Sequence, residues 1–391
     1  MKQLIAVIMM NIRSIPQRAS MSIATILSVA LMVGVLMGFL AMSNGFRATL
    51  SGSGADDVAI VLRGGSQAEL NSVMTRDDVR LIEVAPGIAA DSEGNPILSA
   101  ELYVIVDGIK RSSQTEANLP LRGVQLQAVN LRQNFEITAG RMFEPGAAEL
   151  VVGEGAIREF EGFDLGQTVR LGNNNWTVVG TFSTGGSVFE SEIWTELGVV
   201  QNLYQRGSGV QSIRVRLTSP EAIEELRTYT DGEERLNVDV SSEVEYFADT
   251  AGGTVRLIEI VGWPLAIVMA IGAFSGAWNT MYSSVDARTR EIATLRTIGF
   301  SGFAAFTGTL IESLVLSLIG GLIGVVAVYF LFNGISASTL GGGFTQVVFT
   351  FAVTPEAVFD GIKLAVAVGL LGGLIPAFRA ARVPLLAVHN G

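Results

Sequence analysis

Long stretches of the chain carry no charge: residues 19–46, 260–285 and 313–355 lack Asp, Glu, Lys and Arg. Roughly 20 apolar residues of helix cross about 30 Å of hydrocarbon, so the pattern predicts four spans, at residues 21–44, 256–282, 302–333 and 358–378. The first run is longer than the roughly 7–15 apolar residues of a signal peptide and reads as a retained anchor. Ahead of it, in residues 1–20, Leu4, Ile5, Ile8, Met9, Ile12 and Ile15 recur at helical spacing beside Lys2 and Arg13. That spacing predicts an amphipathic interfacial helix that ends before Pro16.

Residues 45–255, between the first two spans, alternate differently. Residues 58–63 (VAIVLR) predict a strand, 75–84 a helix capped by Thr75 with Asp77 and Asp78 in its first turn, and 102–107 a strand. Further on, 212–217 predicts a strand, Ser219-Pro220-Glu221 opens a helix to Tyr229, and 237–240 predicts a strand. Strand, helix, strand thus occurs twice, which suits one sheet of split βαβ type. The short apolar runs between them, 121–126, 149–152, 169–171 and 176–182, with a turn at Gly172-Asn173-Asn174-Asn175, predict a second, mostly β subdomain as an insertion. Trp176 and Trp194 read as core or surface aromatics. A stalk helix over 244–257, flexed around Gly252-Gly253, would lead into the second span. The expected fold is four transmembrane α-helices with an α+β extracytoplasmic domain.

Composition agrees with a membrane protein: 49% of the 391 residues are apolar and 16% charged, against about 25% charged in soluble domains. The signs sort by segment. Residues 1–20 carry Lys2, Arg13 and Arg18 without an acid, residues 283–301 carry Arg288, Arg290 and Arg296 against Asp286 and Glu291, and the tail at 379–391 carries Arg379 and Arg382. These three segments, and so both termini, are expected in the cytoplasm. The loop at 334–357 has no Lys or Arg, and residues 47–259 hold 17 basic against 32 acidic residues, so both are expected outside. The net charge of −11 therefore falls mainly on the external domain and argues against a nucleic-acid partner.

Cysteine is absent and the single histidine is His389, which excludes thiol nucleophiles, His-based triads and HExxH zinc sites. No GxxxxGK[ST] loop occurs, so no catalytic residues, metal site or cofactor site are expected, and ATP hydrolysis would fall to another subunit. Glu312 is costly to ionise within a span; its place near the inner end suits hydrogen bonding to a neighbouring helix, with proton coupling the alternative. Gly34/Gly38, Gly272/Gly276 and Gly320/Gly324 are small-xxx-small pairs suited to close helix packing, within the chain or between two copies.

The segment at 283–301, SSVDARTREIATLRTIGFS, mixes Val285, Ile292, Leu295 and Ile298 with charges and predicts a short amphipathic helix. It resembles the coupling-helix signature of the MacB/FtsX-type (type VII) ABC transporter permeases, V-x-x-R-x-x-E-I-x-x-L-R-x-x-G, through Val285, Arg288, Glu291, Ile292, Leu295, Arg296 and Gly299. Further resemblances are Glu312-Ser313-Leu314 with Gly320-Gly321-Leu322-Ile323-Gly324, the ending Pro376-Ala377-Phe378-Arg379-Ala380-Ala381-Arg382 with Val383-Pro384-Leu385-Leu386-Ala387-Val388, and, in the external domain, Gly140-Arg141-Met142-Phe143, Glu149-Leu150-Val151-Val152-Gly153 and Thr177-Val178-Val179-Gly180. Within the family the sequence is similar to separate-subunit members of the lipoprotein-releasing (LolC/LolE-like) and DevC-like kinds, with the ATPase expected on another subunit; Val383-Pro384 departs from the Asp-Pro of many relatives.

The resemblance implies a MacB-like periplasmic core domain with a Porter-like subdomain, a bacterial inner-membrane location, and a dimer with a second copy or a related permease. It also implies a cytoplasmic ABC ATPase partner holding ATP and Mg, contacted by Val285, Arg288, Arg290, Glu291, Leu295, Arg296 and Gly299, with a periplasmic adaptor, lipoprotein or outer-membrane factor and membrane lipid as further partners. The implied function is mechanotransmission that drives export or extraction of a lipid, lipoprotein, peptide or drug. The alternative is an FtsX-like regulator of a periplasmic cell-wall hydrolase.

Overall fold

The computed structural model describes residues 2–340 and 346–383. The elements are, in chain order, α1 (Lys2–Ser14), α2 (Ala19–Ser51), β1 (Val58–Arg63), α3 (Arg76–Glu83), β2 (Leu98–Ile109), β3 (Glu116–Val124), β4 (Glu136–Gly140), β5 (Glu149–Gly153), α4 (Glu154–Glu159), β6 (Thr168–Leu171), β7 (Asn174–Ser183), β8 (Ile193–Glu196), α5 (Leu197–Leu203), β9 (Ser212–Arg216), α6 (Ile223–Gly232) and β10 (Val238–Ser242). They continue with α7 (Glu243–Ala287), α8 (Thr289–Thr297), α9 (Gly302–Phe332), β11 (Ser336–Leu340), β12 (Gln346–Thr350) and α10 (Pro355–Ala381). There are two compact units, one drawn from Met1–Asn44, Leu257–Ile335 and Phe351–Gly391, the other from Gly45–Arg256 and Ser336–Thr350. Among the described residues, four helices are long and apolar enough to cross a membrane. The sequence after Val383, with the Pro384 to Val388 resemblance and His389, lies outside the described residues.

In the helical unit, glycine sets how closely helices approach. A Cβ on Gly320 would lie 2.6 Å from the Ile26 carbonyl oxygen, and one on Gly324 would lie 2.5 Å from that of Ala30, so α9 rests directly on the backbone of α2. The other predicted pairs are looser: Gly34 and Gly276 meet side chains only at ordinary distance, and Gly38 and Gly272 face open space. Helix α10 packs on α9 through Gly373, where a Cβ would meet that of Ser313 at 2.6 Å, and Ser313 Oγ donates to the Gly369 carbonyl at 2.8 Å. Around these contacts Val29, Met32, Val33, Met37, Ala273, Val325, Ala365 and Val368 form an apolar core.

In the other unit the two strand–helix–strand patterns do share a sheet. Its strand order is β10-β1-β9-β2-β3-β8-β5-β7-β4, with β6 on β7. Thr75 caps α3 in a reciprocal box with Asp78, and the second helix opens with a 3-10 turn at Pro220–Ala222 before α6. The inserted strands do not build a separate sheet, because β2 is twelve residues long and serves both halves. Leu98 to Glu101 pair with β9, and Leu102 to Ile109 pair with β3. Helix α7 likewise departs from the expected flexed stalk: it runs unbroken through Gly252 and Gly253, both of which face open space. The expected loop at 334–357 contains the β11–β12 hairpin instead. It docks on the sheet unit through Val348 N–H to Ser191 Oγ (2.9 Å), and Ser338 Oγ donates to Glu159 (2.6 Å), which also pairs with Lys110 at 2.9 Å.

The core of this unit contains charge as well as apolar side chains. Arg122 on β3, Arg132 and Arg214 on β9 are buried with Glu69, Glu101, Glu192 and Glu243. Arg122 makes a two-pronged contact with Glu192 (both 2.7 Å) and reaches Glu69 (2.9 Å) and Glu101 (2.9 Å). Arg214 binds Glu69 and Glu101 (both 2.6 Å) and Glu243 (2.9 Å), while Arg132 holds both oxygens of Glu101 (2.8 and 2.9 Å) with its guanidinium 4.1 Å from the Phe189 ring centre. Burial alone would push Glu69 up, but Arg122 and Arg214 hold it well below the ordinary carboxylate value. For Glu101, burial is likewise outweighed by Arg132, Arg214 and Arg122, with a net lowering. Trp176 and Trp194 are both fully buried, and Trp194 Nε1 donates to Glu192 at 2.9 Å.

Two outcomes are expected. Gly320→Ala should lower the thermal unfolding midpoint of the detergent-solubilised chain, since overpacking costs roughly 1–3 kcal/mol. Gly272→Ala should leave the midpoint unchanged or raise it through the better helix propensity of alanine; equal shifts in both variants would contradict the packing assigned to Gly320. Because Glu69 and Glu101 have folded values below the unfolded 4.5, their stabilisation is complete above that pH and fades as pH falls through the folded values. Tryptophan emission should therefore report loss of the sheet unit on acidification below about pH 4.5. Arg214→Leu, which takes one cation from Glu69 and Glu101 and the only paired arginine from Glu243 among the described residues, should cost roughly 3–5 kcal/mol at neutral pH.

Candidate functional site

Between α7 and α9 the chain makes one short helix and two sharp turns, and almost every group at these turns is held. Helix α7 ends at Ala287, Arg288 stands at the N-cap of α8, and the helix closes after Thr297. The closing turn explains the glycine of the motif. Gly299 has φ +100°, its N–H reaches the Arg296 carbonyl (3.2 Å), and the Phe300 N–H reaches that of Leu295 (3.0 Å). This paired arrangement satisfies carbonyls at a helix end and needs a left-handed residue. One face of α8 is buried: Ile292 and Ala293 join Val285 at the end of α7, Ala380 and Val383 in a small apolar cluster. Ile298, expected on that face, is instead 68% exposed, because it caps the helix rather than continuing its stripe.

Glu312 organises the buried side. It lies on α9, 3% exposed. Its Oε1 pairs with Arg18 at 3.0 Å and its Oε2 with Arg288 at 3.5 Å. Arg288 also donates to Asn11 Oδ1 (2.8 Å) and to Glu291 (3.0 Å), and Arg18 donates to Ser14 Oγ (2.8 Å) and to Ser284 Oγ. One carboxylate therefore ties α1, the turn before α2, the end of α7 and the start of α8 to α9. Removing either charge would leave the others buried without full compensation, which makes such networks positional devices.

The expected site residues divide into two groups. Arg288 points inward to Glu312 and is a holding residue of α8, not part of its outer surface; its side chain must neutralise a buried acid. Val285 is buried, and Leu295 and Arg296 are half-buried, with Arg296 donating to the Val383 carbonyl. Arg290 and Glu291 are exposed. In the tail, Arg379 pairs with Asp286 (2.8 Å) and lies 3.9 Å from the Tyr282 ring centre, whereas Arg382 is exposed. Sequence reasoning passed over Arg18, Asn11 and Ser284. Two signals were available: Arg18 is the last charge before a charge-free run, and Asn11 sits on the otherwise apolar face of α1 that carries Val7.

Two family models match the chain: the MacB-like periplasmic core domain over residues 22–231, and the FtsX-like permease C-terminal region over residues 264–385. The macrolide export ATP-binding/permease protein MacB of Neisseria gonorrhoeae is 22% identical over 409 residues, covering 97% of this chain and 60% of that protein. The protein of the same name from Photorhabdus laumondii is 25% identical over 230 residues, covering 56% of this chain and 34% of that protein. This chain thus spans at most 60% of the length of these relatives. Among solved structures, the periplasmic region of MacB from Actinobacillus actinomycetemcomitans is similar at 15% identity with a TM-score of 0.38, covering 52% of this chain and 94% of that one. The first family model matches more than half of the 391 residues and the second matches the helices that follow, so the chain belongs to the MacB/FtsX-type family of ABC transporter permeases.

Proposed function

We propose that this chain is the membrane subunit of an ABC exporter that works by mechanotransmission. A cytoplasmic ATPase, holding ATP and Mg, docks on α8, and its closure moves the helices so that the periplasmic domain changes shape. The observation that carries this reading is the construction of α8: a nine-residue helix, fixed on its inner side by Arg288 and Glu312, presents Arg290 and Glu291 outward. A short helix anchored by a buried ion pair passes a push to α9 and α1 instead of yielding to it. Charge pairs at its exposed side would set docking geometry and partner choice more than raw affinity.

In this arrangement both termini and α8 face the cytoplasm, as the distribution of Lys and Arg supports. The cargo is an amphipathic or apolar molecule handled at the outer side of the inner membrane: a lipid, lipoprotein, peptide or drug. The macrolides in the relatives' names fall in the last class. Function in pairs, with a second copy or a related permease, agrees with the open faces at Gly38 and Gly272, which leave room for a helix of another chain. Glu312 belongs to this design as a structural anchor, since both of its oxygens are engaged by arginine.

Affinity purification from native membranes in mild detergent tests the reading. Recovery of an ATPase subunit at equal stoichiometry, with ATP hydrolysis, is the expected result; a chain that comes alone without nucleotide hydrolysis overturns it, and an accompanying cell-wall hydrolase would move it to the regulatory class. Glu291→Lys should abolish ATPase recovery with only a small drop in the thermal midpoint, because Glu291 is exposed and its loss removes one partner of Arg288 while the buried pair with Glu312 stays. Arg288→Ala should lower the midpoint further, since leaving the buried acid half-paired costs roughly 3–5 kcal/mol of stability. Equal behaviour of the two variants would contradict the division of roles between them.

A further inference from the structure

Helix α1 has two faces of different fate. Val7 and Asn11 are buried, with Val7 against α9 at Gly308, where an added Cβ would meet Val7 Cγ1 at 2.8 Å. The opposite face keeps Ile5, Met9 and Ile12 exposed, at 55%, 48% and 39%. Where α1 ends, a groove of about 710 Å³ opens beside it. Ala6, Met9 and Met10 form its apolar part; Arg13, Ser14, Gln17 and Arg18 line one polar side, and Ala287, Arg288 and Glu291 the other.

Three guanidiniums and one carboxylate line this groove, and they are not equivalent. Arg18 and Arg288 are fixed by Glu312, and Arg288 also by Glu291. Arg13 is exposed and has no ion-pair partner among the described residues, and Gln17 beside it is exposed as well. The groove therefore offers an uncompensated cation and an amide at one end and flexible, polarisable methionine side chains at the other. Its edge continues into the exposed apolar face of α1.

We infer that this groove is a binding site for an anionic phospholipid of the membrane leaflet on that side, with the headgroup phosphate on Arg13 and Gln17 and an acyl chain along Met9 and Met10. Basic pockets beside helix ends select anionic headgroups in this way. A free phosphate would use only the polar end and leave the apolar wall without a role. The site requires no ATPase and stands independently of the transport reading.

The test uses the full chain in nanodiscs of phosphatidylcholine with a minor fraction of phosphatidylglycerol, followed by mass spectrometry of the lipid retained on purification. The wild type should enrich phosphatidylglycerol over phosphatidylcholine, and Arg13→Ala with Gln17→Ala should reduce the enrichment about fivefold, the worth of one basic residue at an anionic surface. Arg13→Lys should keep most of it, and Arg76→Ala, an exposed arginine on α3, should keep all of it. Enrichment that persists in the double variant overturns the site. So does displacement of the lipid by excess inorganic phosphate, which would mean that the groove reads phosphate alone. Because Arg13 and Gln17 are both exposed, the thermal midpoint of each variant should match the wild type, and a matched midpoint with lost enrichment separates binding from misfolding.

Discussion

Three guanidiniums placed among apolar strands can stay charged only if acids reach them from several directions, and that requirement shapes the periplasmic domain. Arg122, Arg132 and Arg214 draw Glu69 from a short turn, Glu101 from β2, Glu192 from before β8 and Glu243 from the first residue of α7. Desolvation of these groups is expensive, and their mutual attraction recovers it only with good geometry on every side. The four segments are therefore held in register with one another more tightly than apolar packing alone would demand. Glu243 carries the most distant load. One oxygen takes Arg214 and the other takes the N–H of Ala55, four residues past the end of α2. The chain's arrival from α2 and its departure into α7 thus share one carboxylate.

The helical unit solves a similar problem with less chemistry. Helices in a lipid environment gain little from apolar contact with one another and rely on close backbone approach and a few polar ties. Gly320 and Gly324 supply the approach and Ser313 and Glu312 the ties, all on α9. Helix α9 is therefore the element against which α1, α2, α8 and α10 are positioned.

Hydropathy made the four long helices legible, and strand periodicity with capping residues revealed both strand–helix–strand patterns, because each signal is local. What stayed hidden depended on pairing at a distance. Nothing around residues 98–109 says that one strand will change partners midway, and the run at 334–357, free of Lys and Arg, gives no sign of a hairpin bound to Ser191. At the candidate site, the motif pointed to Arg288, Glu291 and Gly299, but the sequence could not separate an arginine facing an ATPase from one neutralising a buried acid. That distinction needs Glu312, 24 residues further on, and Arg18, 270 residues earlier. The glycines show the same limit: Gly299 sits in a helix-closing turn, Gly320 and Gly324 of α9 lie against the backbone of α2, and Gly38 and Gly272 face open space.

The β11–β12 hairpin gives the periplasmic domain an order of assembly. Residues 45–256 are synthesised before α9, yet the partners of Ser191, Glu159 and Lys110 come from Ser336–Thr350, which follow α9. Chains made from the N-terminus fold their earlier segments first, so the sheet forms with these polar groups still facing water. The last piece is delivered only after the third apolar helix has been made and threaded. Completion of the outer domain therefore waits on synthesis of α9, though not of α10, and a chain stalled before that point would carry an outer domain open along one side.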